Sequence, residues 1–502
     1  MQPLFCVRGF VTRRVGDITM RRRFIVHVGS TFFISIVQQI VGLLRHVLIA
    51  AFFGISRKFD SYLVIYLLAT LLIFNLAQVF DSVAVPRLVR IKTEKGLDNF
   101  WMTSNRLLAQ ASIAGFVAVA LFAVAIRLLM PVVAAGFSIA EREYILELSA
   151  YFLPWTFIII PYYALAAHLK ALWQFHWVFG AELLTMIISI GVLLCWHLDL
   201  RVLPIAYFAG YLSATLVLLV RRGLRRTVGG DSAANILPAM ANQHLANQSA
   251  GAAGLVERYF QSFLNVGGIS AIGYAGQIVN NLSSLLTFRE IYVVPLAEVT
   301  GRTEKLERVL KGIVLVSIPA GVFVVAFAEA IVRLLFERGK FTAEAGTLTA
   351  GVLKILAVSL ILSSILPPMA RLFQIVNKVI FTYALYAVSL VGTVLFQFIF
   401  VFLLQWDVEG VAWAMVLSSA LTTVVVALLT RYCEVNIAWH RVLGYAGYAL
   451  FFSIIAAKLA SLVAVPAPGL VQLLVSGLAY ASVVACSYLL IHRRIRLIAG
   501  MA

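Results

Sequence analysis

The chain has 502 residues, 62% of them hydrophobic and 12% charged, and 40 Lys and Arg against 22 Asp and Glu give a net charge of +18. Soluble globular chains run about 45–50% apolar and about 25% charged, so a soluble enzyme, a secreted disulfide scaffold and a disordered tail are all excluded. The apolar runs are continuous and do not alternate at period two, which argues against an outer-membrane barrel and for an all-α polytopic membrane protein. Residues 1–23 read as a basic N-terminal extension without a small-residue cleavage site. Beyond it, each crossing of a hydrocarbon core of about 30 Å takes about 20 apolar residues. About 14 such spans are predicted, near 28–53, 61–85, 107–130, 145–168, 177–197, 203–220, 238–264, 270–298, 309–335, 346–370, 380–404, 409–430, 442–464 and 470–492.

The seventh span carries Asn242, Gln243, His244, Asn247 and Gln248, and is stable in a membrane only if that side meets protein or water. Charge supports its inclusion. Arg21 to Arg23, Arg87, Arg90, Lys92, Lys95, Lys170, Arg221, Arg222, Arg225, Arg226, Arg302, Lys305, Arg308, Lys311, Arg493, Arg494 and Arg496 then fall on one side. The other side holds little beyond Arg57, Lys58, Arg142, Arg201, Arg338 and Lys340. Under the positive-inside rule both termini are cytoplasmic, in a bacterial inner membrane, and the positive charge needs no nucleic acid. Cys6, Cys195, Cys433 and Cys486 form no pair, the eight histidines form no ligand cluster, and no GxxxxGK[ST] loop is present. No metal, cofactor or enzymatic activity is expected.

Two landmarks repeat. Arg45 precedes Gly54 by nine positions at the end of the first span, as Arg258 precedes Gly267 at the end of the seventh. Gly136-Phe137-Ser138-x-x-Glu141 after the third span is echoed by Gly339-x-Phe341-Thr342-x-Glu344 after the ninth. The expectation is two six-helix lobes in parallel pseudo-repeat, an N-lobe over 24–226 with a basic loop at 221–237 and a C-lobe over 238–430. Residues 431–502 then add two C-terminal helices and a basic tail.

Charge inside a membrane costs about 2.5–3.5 kcal/mol per group on insertion scales and tends to face a cavity. Charged and polar groups concentrate here in spans one, two, seven and eight, the leading helices of each half: Gln38, Gln39, Arg45, Asp60, Glu257, Arg258, Gln277, Asn281, Arg289. A guanidinium such as that of Arg45 can fork onto a phosphate while staying charged. Asp60 could instead cap its own helix. Glu257 and Arg258, about 100° apart on a helix, need separate partners.

Gly42-Leu-Leu-Arg45, Phe53-Gly54, Asp60, Arg258-Tyr-Phe, Gly273-Tyr274-Ala275 and above all Leu335-Phe336-Glu337-Arg338-Gly339-Lys340-Phe341-Thr342 resemble the MurJ/MviN family. That family lies within the multidrug/oligosaccharidyl-lipid/polysaccharide exporter superfamily. The resemblance implies a flippase for a polyprenyl-pyrophosphate-linked sugar, with cavity arginines holding the pyrophosphate and the last two helices guiding the lipid tail. Arg45 and Asp60 match family positions, whereas three other family arginines fall at Gln39, Ile73 and Gln277. The expected site is therefore Arg45 with Arg258 or Arg289 on the pyrophosphate, Gln39, Asn242, Gln277 and Asn281 on sugar hydroxyls, and Asp60 and Glu257 as acids for a coupling cation. The cargo is either a lipid II-type precursor or an exopolysaccharide repeat unit, in a lipid membrane. A drug antiporter of the same fold would need a negative cavity. A non-transporting scaffold for glycan synthesis would tolerate charge reversal at Arg45.

Overall fold

The structure, a computed structural model, describes residues 34, 36–223, 251, 253–287, 302–375, 379–432, 437–462 and 469–498. Among these residues it is helical throughout, without strands, in fourteen helices. They are α1 (Ile36–Phe53), α2 (Arg57–Val79), α3 (Val85–Val133), α4 (Ile139–Ala171), α5 (Phe175–Cys195), α6 (Val202–Arg222), α7 (253–261) and α8 (Gly268–Thr287). There follow α9 (Arg302–Phe336), α10 (Ala343–Ile375), α11 (Val379–Gln397), α12 (Val408–Leu429), α13 (Trp439–Leu462) and α14 (Gly469–Ile498). Twelve are long and apolar enough to cross a membrane. The other two are α7, most of whose predicted span lies outside the described residues, and α8, in which Gln277, Asn280 and Asn281 interrupt the apolar run.

The third helix starts earlier than its apolar run suggests. Gly96, at φ 85 and ψ 179, breaks it, a conformation open essentially to glycine. Residues 85–95 thus form a basic helix of their own ahead of the apolar run. In the second span, π-helical turns at Thr70–Phe74 and Phe80–Ala84 interrupt the regular ladder, a geometry that recurs where helices must bend.

The chain divides into two compact units that alternate along the sequence. The first comprises Met1–Leu48, Leu67–Leu128 and Leu146–Leu245; the second comprises Ile49–Tyr66, Leu129–Ile145 and Ala246–Ala502. In the first, α5 packs on α6 through small residues. Ser189 Oγ donates to Ala206 O at 3.0 Å, and a Cβ on Gly210 would stand 2.5 Å from Thr185 O. Close backbone approach of this kind replaces the hydrophobic drive that lipid removes.

In the second unit, α14 docks on α9 at a proline. Pro319 has no N–H, so the carbonyl of Leu315 one turn earlier has no helical donor, and bare carbonyls are costly in a membrane. Tyr488 Oη donates to that carbonyl at 2.5 Å, and Tyr480 Oη donates to Pro319 O at 2.8 Å. Tyr488→Phe should therefore cost about 1–2 kcal/mol, read as a lowered thermal midpoint of the purified protein. The loss should vanish in a Pro319→Ala background, where the restored N–H satisfies Leu315; an equal loss in both backgrounds would refute the assignment.

Candidate functional site

At one end of the second unit, five chain turns are tied together by hydrogen bonds. Helix α1 stops at Gly54, whose φ of +59 is left-handed, and α2 starts after Ser56, whose hydroxyl accepts the Phe59 N–H at 3.2 Å. That start places Asp60 in the first turn of α2, where it is fully buried. Its carboxylate does not cap α2. Oδ2 accepts the Gly267 N–H at 2.7 Å, while Oδ1 accepts the Ser270 N–H at 2.8 Å and the Ser270 hydroxyl at 2.5 Å. Asp60 thus caps α8, where the helix dipole favours an anion. Gly267, at φ +86, supplies the left-handed turn that aims these donors. One turn further, Tyr274 Oη donates to Gly54 O at 3.1 Å, and its ring packs among Phe59, Phe336 and Phe341.

Arg57 extends the junction. Its guanidinium pairs with Glu141 (Nε to Oε1, 2.9 Å), donates to Gly136 O at 3.2 Å and lies 3.9 Å over the Phe137 ring. Gly136 N donates in turn to Ser262 Oγ at 3.0 Å. The α9–α10 turn joins through Lys340 N donating to Ala51 O at 2.8 Å, and the α11–α12 turn through Asn265 Nδ2 donating to Asp407 at 2.8 Å. These backbone approaches leave no room for side chains. A Cβ on Gly54 would meet Lys340 O, and one on Gly339, also at φ +59, would meet Ala51 O. The repeated glycines seen in the sequence are the residues that let the turns touch.

One turn into α7 lies a group that the sequence did not single out. Glu257 and Arg258 share one partner, the buried Gln261: Arg258 Nη1 donates to Gln261 Oε1 at 2.7 Å, and Gln261 Nε2 donates to Glu257 Oε1 at 2.6 Å. The separate partners expected from their angular offset are replaced by one amide with a donor and an acceptor. Its spacing of i+3 and i+4 was the available signal. Arg57 was likewise read only as a loop charge.

Arg45 belongs to the first unit. It is half-buried, with its guanidinium 4.9 Å above the ring of Tyr207 from α6. The adjoining turn of α1 is held by Gln38 Nε2, which donates to Phe179 O at 2.9 Å and approaches Glu182 at 3.4 Å on α5. Gln39 is half-buried on the same helix. Gln277 donates to Asn281 at 3.0 Å on α8. Ile73 is buried. Asn242 and Arg289 lie outside the described residues. Among the described residues no group of three or more His, Cys, Asp or Glu is placed to hold a metal. Glu329 and Lys354, from neighbouring helices of the second unit, pair with each other at 2.7 Å.

Comparison with known proteins follows the same line. A family model described as lipid II flippase MurJ matches residues 49–492, a stretch that begins four residues after Arg45. A protein of Bdellovibrio bacteriovorus described as a probable lipid II flippase MurJ is 30% identical over 187 residues, 36% of this chain and 35% of that protein. The match thus spans about a third of the relative's length. A solved structure of lipid II flippase MurJ in an inward closed conformation aligns with a TM-score of 0.75 and 18% identity over 92% of this chain and 99% of that one. An inward-facing multidrug resistance MATE family transporter of the MOP superfamily aligns with a TM-score of 0.60 and 17% identity, over 81% of this chain and 95% of that one. At such identities the two structures speak to the fold.

Proposed function

The chain belongs to the lipid II flippase MurJ family, and on that premise we propose that it carries a polyprenyl-pyrophosphate-linked glycan across the inner membrane by alternating access. The family match carries this reading. Arg45 has the charge and the flat, stacked guanidinium that a pyrophosphate requires. The five turns tied by Asp60, Arg57 and the glycines lie on the side with few basic residues, the outer side under the positive-inside rule. They form the closed gate of a state that loads from the cytoplasm; release outward breaks the Asp60 bonds to α8. Asp60, with both oxygens engaged by α8 in the closed state, acts as a latch, which leaves Glu257 beside Gln261 as the acid for a coupling cation. Membrane potential adds a drive, since one charge crossing 100 mV is worth about 2.3 kcal/mol. The last two helices guide the lipid tail.

The amides at Gln39 and Gln277 and the buried Ile73, where the family has arginines, favour a second cargo, an exopolysaccharide repeat unit. Complementation separates the two. A strain depleted of its own lipid II flippase receives wild type or Arg45→Ala, with membrane insertion checked for both. Rescue by wild type and a loss of at least tenfold in plating efficiency with Arg45→Ala support lipid II as cargo. Failure of a well-inserted wild type sinks it in favour of another polyprenyl-linked glycan.

A further inference from the structure

The turn between α4 and α5 departs from the residue usage that its geometry favours. Helix α4 closes with Gln174 N donating to Leu169 O and Trp173 N donating to Lys170 O, both at 2.9 Å. In this paired cap the residue after the helix is left-handed and is ordinarily glycine. Here it is Trp173, at φ 62, a conformation unfavourable for a bulky side chain. Burial does not compensate, because Trp173 is 59% exposed, with its ring edge-on to Phe175 at 5.9 Å. Strain kept at the surface points to a function.

The surroundings say which. One turn on, Trp177 is 38% exposed and lies beneath the guanidinium of Arg221 from α6, 5.3 Å from its centroid. The adjacent Arg222 turns inward: it is buried, bonds Asn105, reaches Ser104 Oγ at 3.3 Å and stacks on Trp101 at 5.1 Å. Arg222 thus fixes the end of α6 and leaves Arg221 at the surface. The chain has no Asp or Glu between Glu147 and Glu182 or between Asp199 and Asp231, so the sequence around the turn and around the end of α6 is basic.

We infer that Trp173, Trp177 and Arg221 form a headgroup-level site for an anionic phospholipid. An indole exposed to water gains little, but at a bilayer interface its apolar face and N–H are both satisfied. A guanidinium stacked on indole keeps its N–H edge for phosphate oxygens. The site lies on the basic side of the chain, which faces the anionic leaflet. Its role is to hold the α4–α5 turn at the membrane surface, a role separate from cargo transport.

The test uses the purified full-length protein in neutral detergent. Thermal unfolding is followed with added phosphatidylglycerol, phosphatidylcholine or inorganic phosphate, for wild type, Arg221→Gln and Trp173→Gly. The expected result is a rise in midpoint with phosphatidylglycerol alone, cut by more than half in each variant. Trp173→Gly should unfold no lower than wild type without lipid, because glycine takes this backbone freely. An unchanged phosphatidylglycerol response in Trp173→Gly overturns the site even if Arg221→Gln fails to fold. An equal response to inorganic phosphate overturns the lipid assignment.

Discussion

Asp60→Ala opens the junction at the end of the second unit. The substitution removes the acceptor of two backbone N–H groups, Gly267 and Ser270, and of the Ser270 hydroxyl. Leaving a buried donor unpaired costs about 1–3 kcal/mol, with more at stake where the partner is charged. A total of about 3 kcal/mol shifts the closed state by about two orders of magnitude. Ser262→Cys, at a fully buried position beside Gly136, reports this in a background with the four native cysteines replaced by serine. Its reaction with an impermeant maleimide should rise at least tenfold in Asp60→Ala. Asp60→Asn should fall between, since its oxygen can still serve Ser270 while its NH2 faces a donor. Labelling that is equally slow in all three removes the latch from the account.

Gly339→Ala tests the same junction through its backbone. The left-handed conformation costs a non-glycine residue about 1–2 kcal/mol, and the new methyl would also press on Ala51 O. That pressure weakens the neighbouring bond from Lys340 N to Ala51 O. A combined destabilisation of about 2–4 kcal/mol is expected, with loss of transport, and Gly54→Ala should behave alike because its methyl would meet Lys340 O. Asparagine separates the two contributions, since it tolerates the left-handed region but is bulkier. Gly339→Asn should be at least as damaging as Gly339→Ala, measured by thermal midpoint. A clearly milder Asn variant would show that backbone conformation, not contact, is what glycine supplies.

The sequence revealed what is local and hid what is distant. The spans were legible because an apolar run long enough to cross lipid can do little else, and the glycines were legible because they recur at fixed spacing from an arginine. Asp60 stood out as an acid beside an apolar run. Its partners could not be seen, being backbone N–H groups 207 and 210 residues away that carry no side-chain signature. Arg57 was passed over as a turn charge, although it ties the α1–α2 turn to the α3–α4 turn. Gln261 was passed over because it is neutral, although neutrality lets one side chain serve both Glu257 and Arg258. That α3 runs back beyond its apolar run to Val85, past the break at Gly96, is hidden by Asp98, Asn99 and Arg106, which dilute its first turns. Nor does any local pattern announce that residues 49–66 and 129–145 cluster with the second half of the chain.

The proposed function is transport of a polyprenyl-pyrophosphate-linked glycan. The most direct measurement is translocation of fluorescent lipid II, and of a polyprenyl-pyrophosphate oligosaccharide, in vesicles holding the purified protein and an imposed membrane potential. Protection of the label from a membrane-impermeant quencher reports the leaflet. Transfer of at least one of the two is expected, well above protein-free vesicles and lost in Arg45→Ala. Transfer of neither by a correctly inserted protein, or equal transfer by Arg45→Ala, would contradict it.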